Sequence, residues 1–132
     1  MIKIVLTLFA LSLLVSCGEF PVNKPLTEDS KQTLDSIKYV LKLESLKYSY
    51  TEVNTSQTGK RLYFTIYLSD VDKPANYDTI NKSLLSAFER SGYDFKNCYT
   101  VSIRYFKSYE RAKVWRIYQF DNKKQLKEIR YQ

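Results

Sequence analysis

The chain has 132 residues, a formal net charge of +7 and no histidine, which excludes histidine-based catalytic triads and histidine metal ligands. It has only three glycines, so no glycine-rich phosphate-binding loop can be formed. No serine is followed by lysine three residues later, which also excludes the Ser-x-x-Lys pattern of acylating enzymes.

The N-terminal segment has the layout of a secretory signal. Lys3 supplies a positive charge, residues 4–15 form an apolar run, and Ser16 places a small residue before Cys17. This run is shorter than the stretch of about 20 apolar residues that a membrane-spanning helix needs. The pattern therefore predicts a signal segment over residues 1–16 and argues against a transmembrane helix.

The tetrapeptide Leu14-Val15-Ser16-Cys17 resembles the lipobox of bacterial lipoproteins. In that family the thiol is diacylated and the chain is cleaved just before the cysteine, which the resemblance implies for Cys17. Two acyl chains suffice for stable anchoring, because each buried methylene adds about 0.8 kcal/mol of membrane affinity. The Ser-Cys-Gly junction is similar to those of Bacteroidetes lipoproteins, and Gly18 differs from the Asp that retains enterobacterial lipoproteins in the inner membrane. The resemblance implies a lipid-anchored protein of the cell envelope, points to the outer membrane, and leaves the leaflet open.

The rest of the chain has the length of one domain, and the lipobox resemblance does not extend into it. Removal of residues 1–16 would leave 116 of the 132 residues. In residues 17–26 the resemblance implies a lipidated Cys17, and the two prolines and the lack of hydrophobic periodicity after it predict a tether. We expect residues 27–132 to form a single domain.

The first predicted element is a helix. Thr27 is a suitable N-cap, and Leu34, Ile37 and Leu41 recur at helical spacing, which predicts an amphipathic helix over residues 28–46.

A hairpin is predicted next, because the hydrophobic period changes to two. Tyr48–Val53 is rich in strand-forming residues, and residues 62–68 alternate cleanly between apolar and other side chains. The polar residues 54–60 predict a long loop between these strands.

The second predicted helix has clear end signals. Asn76 is a suitable N-cap, and Tyr77, Ile80, Leu84 and Phe88 fall on one face. Gly92 lies where a left-handed C-terminal residue is expected, and Tyr93 is placed to fold back on Phe88.

Three more strands are predicted at Tyr99–Phe106, Val114–Phe120 and Gln125–Tyr131, the last two joined by a turn at Asp121–Lys124. The element order is therefore α-β-β-α-β-β-β. It predicts a two-layer α+β sandwich, with two helices on one face of a mostly antiparallel sheet of about five strands. A strand order like that of a circularly permuted ferredoxin-like fold is one option.

Basic residues are concentrated in the last third of the chain. Residues 96–132 hold ten Lys or Arg against three Asp or Glu, whereas residues 17–95 hold ten against eleven. This asymmetry favours an acidic partner, with a solvated sheet face as the alternative. Twelve tyrosines are also present, and those on a sheet face left open by the helices would suit binding together with arginine. The candidate partner-binding residues are Arg104, Arg111, Lys113, Trp115, Arg116 and Arg130.

Few residues indicate catalysis or metal binding. Asp70, Asp72 and Asp78 do not have the spacing of a calcium-binding EF-hand loop, and we predict no metal, no cofactor and no enzyme. Cys98 is expected to be a small buried apolar residue, with a reactive or intermolecular thiol as the alternative.

These patterns favour a lipid-anchored envelope protein with a non-enzymatic domain that binds its partner through the basic, aromatic C-terminal strands. Its partner would be an anionic glycan, a lipid headgroup or an acidic envelope protein, and export argues against nucleic acid. The alternatives are a structural or assembly-accessory subunit that docks by strand addition or apolar contact and, less favoured, a hydrolase that uses carboxylates. The oligomeric state is left open.

Overall fold

The computed structural model describes residues 18–71, 76–107 and 113–129, with the side chains of 18–20 and 113–115 excepted. The helices are α1 (Glu28–Val40) and α2 (Tyr77–Arg90), with a short 3₁₀ turn at Phe95–Asn97. The strands are β1 (Gly18–Pro21), β2 (Ser45–Thr55), β3 (Gly59–Ser69), β4 (Thr100–Lys107), β5 (Lys113–Phe120) and β6 (Leu126–Ile129).

The six strands form one open sheet in simple sequential order, β1-β2-β3-β4-β5-β6. All neighbouring pairs are antiparallel except β3 and β4, which are parallel and are joined through α2. Both helices lie on one face, so the predicted two-layer α+β class is confirmed. The sheet has one strand more than the five expected, because residues in the predicted tether form β1.

The segment predicted to be a free tether is instead built into the domain. Gly18–Pro21 pairs with residues 51–54 of β2, and the amide of Val22 donates to the Tyr50 carbonyl at 2.8 Å. Asn23 Oδ1 accepts from the Tyr50 amide at 3.1 Å. The prediction of a tether was wrong for these residues, because β1 forms by pairing with the outer edge of β2, which lies about 30 residues further along the chain.

Helix α1 ends at Val40, six residues before the predicted end. Lys42 adopts a left-handed conformation with φ of 53°. Its amide donates to the Tyr39 carbonyl at 3.2 Å, and the amide of Leu43 donates to the Lys38 carbonyl at 3.0 Å. These bonds form the C-terminal motif normally completed by glycine, which is why the sequence did not reveal this end.

Helix α2 has the predicted ends. Asn76 Oδ1 accepts from the Thr79 amide at 3.1 Å, and Gly92 takes a left-handed φ of 90°. The ring centroids of Tyr93 and Phe88 are 5.5 Å apart, as expected for a side chain that folds back across the helix end.

The predicted long loop between β2 and β3 is a short turn. Both strands run for 11 residues, and Thr55 pairs with Gly59, so that only residues 56–58 connect them. Gly59 has a φ of 69°, and the Thr58 amide donates to Thr55 Oγ1 at 3.1 Å. A left-handed glycine after a three-residue loop is a common hairpin geometry, and it lets the polar ends of both strands remain paired.

An aromatic cluster forms the centre of the core between sheet and helices. The ring of Phe64 lies 4.8 Å from Phe95, 5.0 Å from Phe88 and 5.4 Å from Tyr93, measured between centroids. Tyr48 also contacts Phe88, at 4.7 Å. Tilted and edge-on pairs of this kind each add about 0.5–1.5 kcal/mol beyond the burial of their apolar area.

Cys98 is buried at the edge of this core. Burial raises the pKa of its thiol from 9.0 to about 11. A thiol with these properties is a poor nucleophile at neutral pH, because little thiolate is present.

The two helices are held together by a buried hydrogen bond and an exposed ion pair. Ser30 Oγ donates to the Ala87 carbonyl at 2.6 Å, and Ser30 is completely buried. At the surface, Arg90 Nη1 lies 3.0 Å from Asp29 Oδ2. The helix layer therefore covers one face of the sheet, and no helix of the described residues lies on the other face.

Candidate binding surface

The face of the sheet that carries no helix is the candidate binding surface, hereafter the open face. Alternation along the strands separates its residues from the core residues, since successive side chains point to opposite faces. Its positions include Lys47, Ser49, Thr51 and Val53 of β2, Arg61, Tyr63, Thr65 and Tyr67 of β3, Thr100, Ser102, Arg104 and Phe106 of β4, Ile117 and Gln119 of β5, and Lys127 and Ile129 of β6.

The tyrosines noted in the sequence divide between the two faces. Tyr48, Tyr50, Tyr105 and Tyr118 belong to the helix-covered core. Tyr63 and Tyr67 lie on the open face, and Tyr99, just before β4, contacts Tyr63 with ring centroids 5.6 Å apart. Four of these seven rings therefore fill the core, and three lie on or beside the open face.

One cationic and aromatic cluster lies near the hairpin end of the open face. The guanidinium carbon of Arg61 is 4.0 Å from the ring centroid of Tyr99. Tyr99 is 58% exposed, which is high for so large a ring. A guanidinium above an aromatic face gains roughly 0.5–1 kcal/mol at an exposed site and keeps its N–H groups free for a further ligand.

Arg104 occupies the middle of the open face. It lies in register with Tyr67 on one side and Ile117 on the other. Tyr67 and Phe106 stack beside it, with centroids 6.0 Å apart and planes at 24°. The Nε atom of Arg104 is buried and has no hydrogen-bond partner in residues 18–71, 76–107 and 113–129. The centre of this face thus carries a positive charge whose hydrogen-bonding capacity is not fully used.

Several cations of the domain, on the open face and in the helix layer, have no ion-pair partner in the described residues. Within the described residues, Lys47, Arg61 and Arg104 form no ion pair. By contrast, Lys31 lies 3.2 Å from Glu28, and Arg90 is paired with Asp29 in the helix layer. The open face therefore has an uncompensated positive charge.

Arg116 does not lie on the open face, where the sequence placed it together with Arg104. Its guanidinium carbon is 4.2 Å from the ring centroid of Tyr77, on the helix-covered side. Its Nη1 donates to Tyr118 Oη at 3.2 Å, and its Nε lies 3.3 Å from Glu128 Oε1. The bond to Tyr118 raises the pKa of the guanidinium further, and burial raises the pKa of the Tyr118 phenol. Arg116 is therefore already engaged within the domain.

The other sequence-predicted residues are not described at the side-chain level. Lys113 and Trp115 lie in β5, and of these two residues only the backbone is described. Arg111, Arg130 and the lipidation residue Cys17 fall outside the described residues. The sequence analysis did not select Lys47 and Arg61, because the net charge of the first two thirds of the chain is close to zero. Their alternation with core residues was nevertheless a signal that they lie on the second face of the sheet.

A second surface feature lies at the outer edge of β2. Since β1 pairs only with residues 51–54, residues 45–49 have no strand on their outer side in the described part of the chain. A groove of about 260 Å³ runs between this edge and α1 and is lined by Leu26, Leu34, Leu46 and Tyr48 with three charged side chains. The groove combines unpaired strand backbone with apolar side chains.

Within residues 18–71, 76–107 and 113–129, no group of three or more His, Cys, Asp or Glu is placed to hold a metal ion. None of the helices described is long and apolar enough to cross a membrane.

Comparisons of the chain with protein-family models, with curated proteins and with solved structures found no match.

Proposed function

We propose that the chain is a lipid-anchored protein of the cell envelope whose domain binds an anionic partner through the open face and performs no catalysis. The lipobox Leu14-Val15-Ser16-Cys17 supports the anchor. The observation that carries the binding proposal is Arg104, a cation without an ion pair in the described residues, at the centre of a helix-free face and beside stacked Tyr67 and Phe106.

The chemistry of the open face suits an anion. Guanidinium groups bind carboxylate, phosphate or sulfate oxygens with directed hydrogen bonds, and flanking aromatic rings exclude water from those bonds. Arg61 and Arg104 provide such groups on β3 and on the adjacent β4. Between them on the open face lie Tyr63 and a small polar pair, in which Ser102 Oγ donates to Thr65 Oγ1 at 3.1 Å. A flat partner with spaced negative charges would fit this arrangement.

The proposal is tested with charge-matched variants of the full chain in a non-ionic detergent. Arg104→Gln removes a cation from the open face, and Lys82→Gln removes an exposed cation from α2 on the opposite side. Retention on an immobilised sulfated polysaccharide is measured along a salt gradient. We expect Arg104→Gln to elute at clearly lower salt than Lys82→Gln. Equal shifts for the two variants would mean that only net charge matters and would contradict the proposal.

A second candidate function is that of an accessory subunit that docks by strand addition. It is favoured by the groove beside β2, where residues 45–49 have no strand on their outer side in the described part of the chain. An extended segment of another envelope protein would pair with this backbone and place alternate apolar side chains against Leu34 and Leu46. Such a complex would survive roughly 0.5 M salt, where charge interactions are strongly screened. It would be weakened by Leu46→Lys and unaffected by Arg104→Gln.

A further inference from the structure

The two sides of the domain differ in charge. The open face carries Lys47, Arg61 and Arg104 without ion pairs among the described residues, whereas the helix layer has cations and acids in close balance. In the described strands, Glu19 of β1 is the only acidic residue at an open-face register position, and it lies at the edge of the sheet. In the described strands, the cations at open-face positions therefore outnumber the acids.

The position next to Cys17 is rigidly attached to the same sheet. Gly18, the following residue, is in register with Asn54. Beyond β1 the chain stays fastened, because the Lys24 amide donates to Tyr93 Oη at 2.8 Å and the Thr27 amide donates to Ser91 Oγ at 3.0 Å. A lipid on Cys17 would thus be separated from the sheet by about one residue, or roughly 3.5 Å of chain.

We propose that the open face lies against the anionic lipid headgroups of the membrane in which Cys17 is anchored. This inference rests on the proposed lipid anchor and names the anionic partner of the open face as that bilayer surface. A short connection keeps the face close to the bilayer, so binding of the face is an intramolecular event at high effective concentration.

The size and composition of the face fit a headgroup surface. Strands β2 and β3 have 11 residues each, which corresponds to about 35 Å, and six strands span about 25 Å. Each lysine or arginine near an anionic membrane surface strengthens binding about fivefold. Tyr63, Tyr67 and Tyr99 add rings of the kind enriched at membrane interfaces.

Contact through the β2–β3 turn alone is less favourable. The connecting residues Ser56, Gln57 and Thr58 carry neither charge nor large apolar groups. The nearby Lys60 is already 3.8 Å from Glu52. These turn residues thus offer little attraction to headgroups compared with the face.

The test uses the lipidated full chain in vesicles of phosphatidylcholine with or without phosphatidylglycerol. Single cysteines replace Ser49 on the open face, Gln57 in the hairpin turn and Ser86 on the exposed side of α2, and each receives an environment-sensitive fluorophore. Cys98 is buried, so the native thiol does not compete for the label. Quenching by aqueous iodide then reports the access of water to each position.

We expect phosphatidylglycerol to lower quenching severalfold at Ser49→Cys and to leave Ser86→Cys unchanged. About 1 M salt, where the Debye length is about 3 Å, should abolish the protection. The triple variant Lys47→Gln, Arg61→Gln, Arg104→Gln should also lose it, whereas a control with Lys31, Lys82 and Arg90 changed to glutamine should keep it. Full quenching at Ser49→Cys, or protection at Gln57→Cys alone, would overturn the inference.

Failure of the anchor is recognised separately. Sedimentation with pure phosphatidylcholine vesicles depends on the lipid at Cys17 and not on surface charge. A chain that does not sediment would refute the lipid anchor and this inference with it. A chain that sediments but leaves Ser49→Cys fully accessible would refute only the inference, and Arg104-dependent retention on the polysaccharide would then assign the open face to a soluble polyanion.

Discussion

The hydroxyl of Tyr93 binds both main-chain groups of Lys24. It accepts a hydrogen bond from the Lys24 amide at 2.8 Å and donates one to the Lys24 carbonyl, also at 2.8 Å. The Lys24 side chain in turn donates from Nζ to the Gly92 carbonyl at 2.9 Å. The end of α2 therefore holds the N-terminal segment on the domain, although 69 positions separate the two residues.

Tyr93→Phe should loosen this segment while leaving the aromatic core filled. The ring remains against Phe88 and Phe64, but two partly buried main-chain groups lose their partner. We expect the free energy of unfolding to fall by about 1–3 kcal/mol, measured by urea denaturation. Amide exchange at Val22 and Lys24 should accelerate more than exchange in β3.

Tyr39→Phe is the matched control, because Tyr39 is 85% exposed. It removes the same hydroxyl and should leave both readouts unchanged. If Tyr93→Phe were as stable as this control, the clamp on Lys24 would contribute nothing to holding the segment.

The two helices end in the same left-handed motif with different residues. Lys42 has a φ of 53° and Gly92 a φ of 90°. A side chain in this conformation costs roughly 1–2 kcal/mol, and a Cβ at Gly92 would meet no atom within 4 Å. We therefore expect Gly92→Ala to lower the free energy of unfolding by about 1 kcal/mol through backbone strain alone, and Lys42→Gly to raise it by up to about 1 kcal/mol.

Lys38→Gly provides the comparison for Lys42→Gly, because it introduces the same residue inside the last turn of α1. There the substitution should cost about 1 kcal/mol. Thermal denaturation of the variants gives their order of stability directly. Equal destabilisation by Lys38→Gly and Lys42→Gly would show that the left-handed position carries no strain.

The elements that the sequence predicted well have local signals. Asn76 and Gly92 mark the ends of α2 by their own side-chain and backbone chemistry. Asp121 Oδ1 accepts from the amides of Lys123 and Gln125, each at 2.9 Å. The side chain of the first residue therefore stabilises the predicted turn between β5 and β6. Signals of this kind need no knowledge of the rest of the fold.

The features that the sequence did not reveal depend on distant partners. β1 has no alternation of its own and forms because the edge of β2 is available. The side of the sheet on which Arg116 lies could not be predicted from the sequence, because both sets of alternate residues in β5 contain apolar side chains. A register irregularity between Tyr105 and Phe106 also changes how β5 faces β4. The open face was therefore anticipated as a feature, whereas its arginine pair proved to be Arg61 and Arg104.

A buried hydrogen bond links α2 to β4. Tyr105 Oη donates to Asn81 Oδ1 at 2.6 Å, both side chains are almost completely buried, and Asn81 Nδ2 has no partner within the described residues. We expect Asn81→Leu and Tyr105→Phe each to cost about 1–3 kcal/mol, since each leaves one buried polar group unpaired.

The double variant Asn81→Leu, Tyr105→Phe removes both polar partners at once. Its loss of stability should be clearly smaller than the sum of the two single losses, as measured by urea denaturation of all four proteins. Additive losses would mean that the two side chains are not coupled and that the cost arises from packing alone.

Buried acidic groups, Cys98 and Tyr93 among them, make stability depend on alkaline pH. Burial raises the pKa of the Cys98 thiol from 9.0 to about 11 and that of the Tyr93 phenol from 10.0 to about 12. Both groups hold their proton more tightly in the folded state, so above its ordinary pKa each is deprotonated first in the unfolded chain. The stability from Cys98 is therefore complete below pH 9 and is lost as pH rises toward 11.

Between pH 9 and pH 10 the loss should come mainly from Cys98, because the Tyr93 phenol has an ordinary pKa of 10.0. A single such group changes the free energy of unfolding by up to about 1.4 kcal/mol per pH unit. Cys98→Ala lowers stability at every pH by removing packed atoms, but it should flatten the pH dependence in this interval, as measured by urea denaturation. Tyr39→Phe should keep the wild-type slope, since the Tyr39 ring lies in water. An unchanged slope in Cys98→Ala would show that the buried thiol does not set the alkaline limit of the fold.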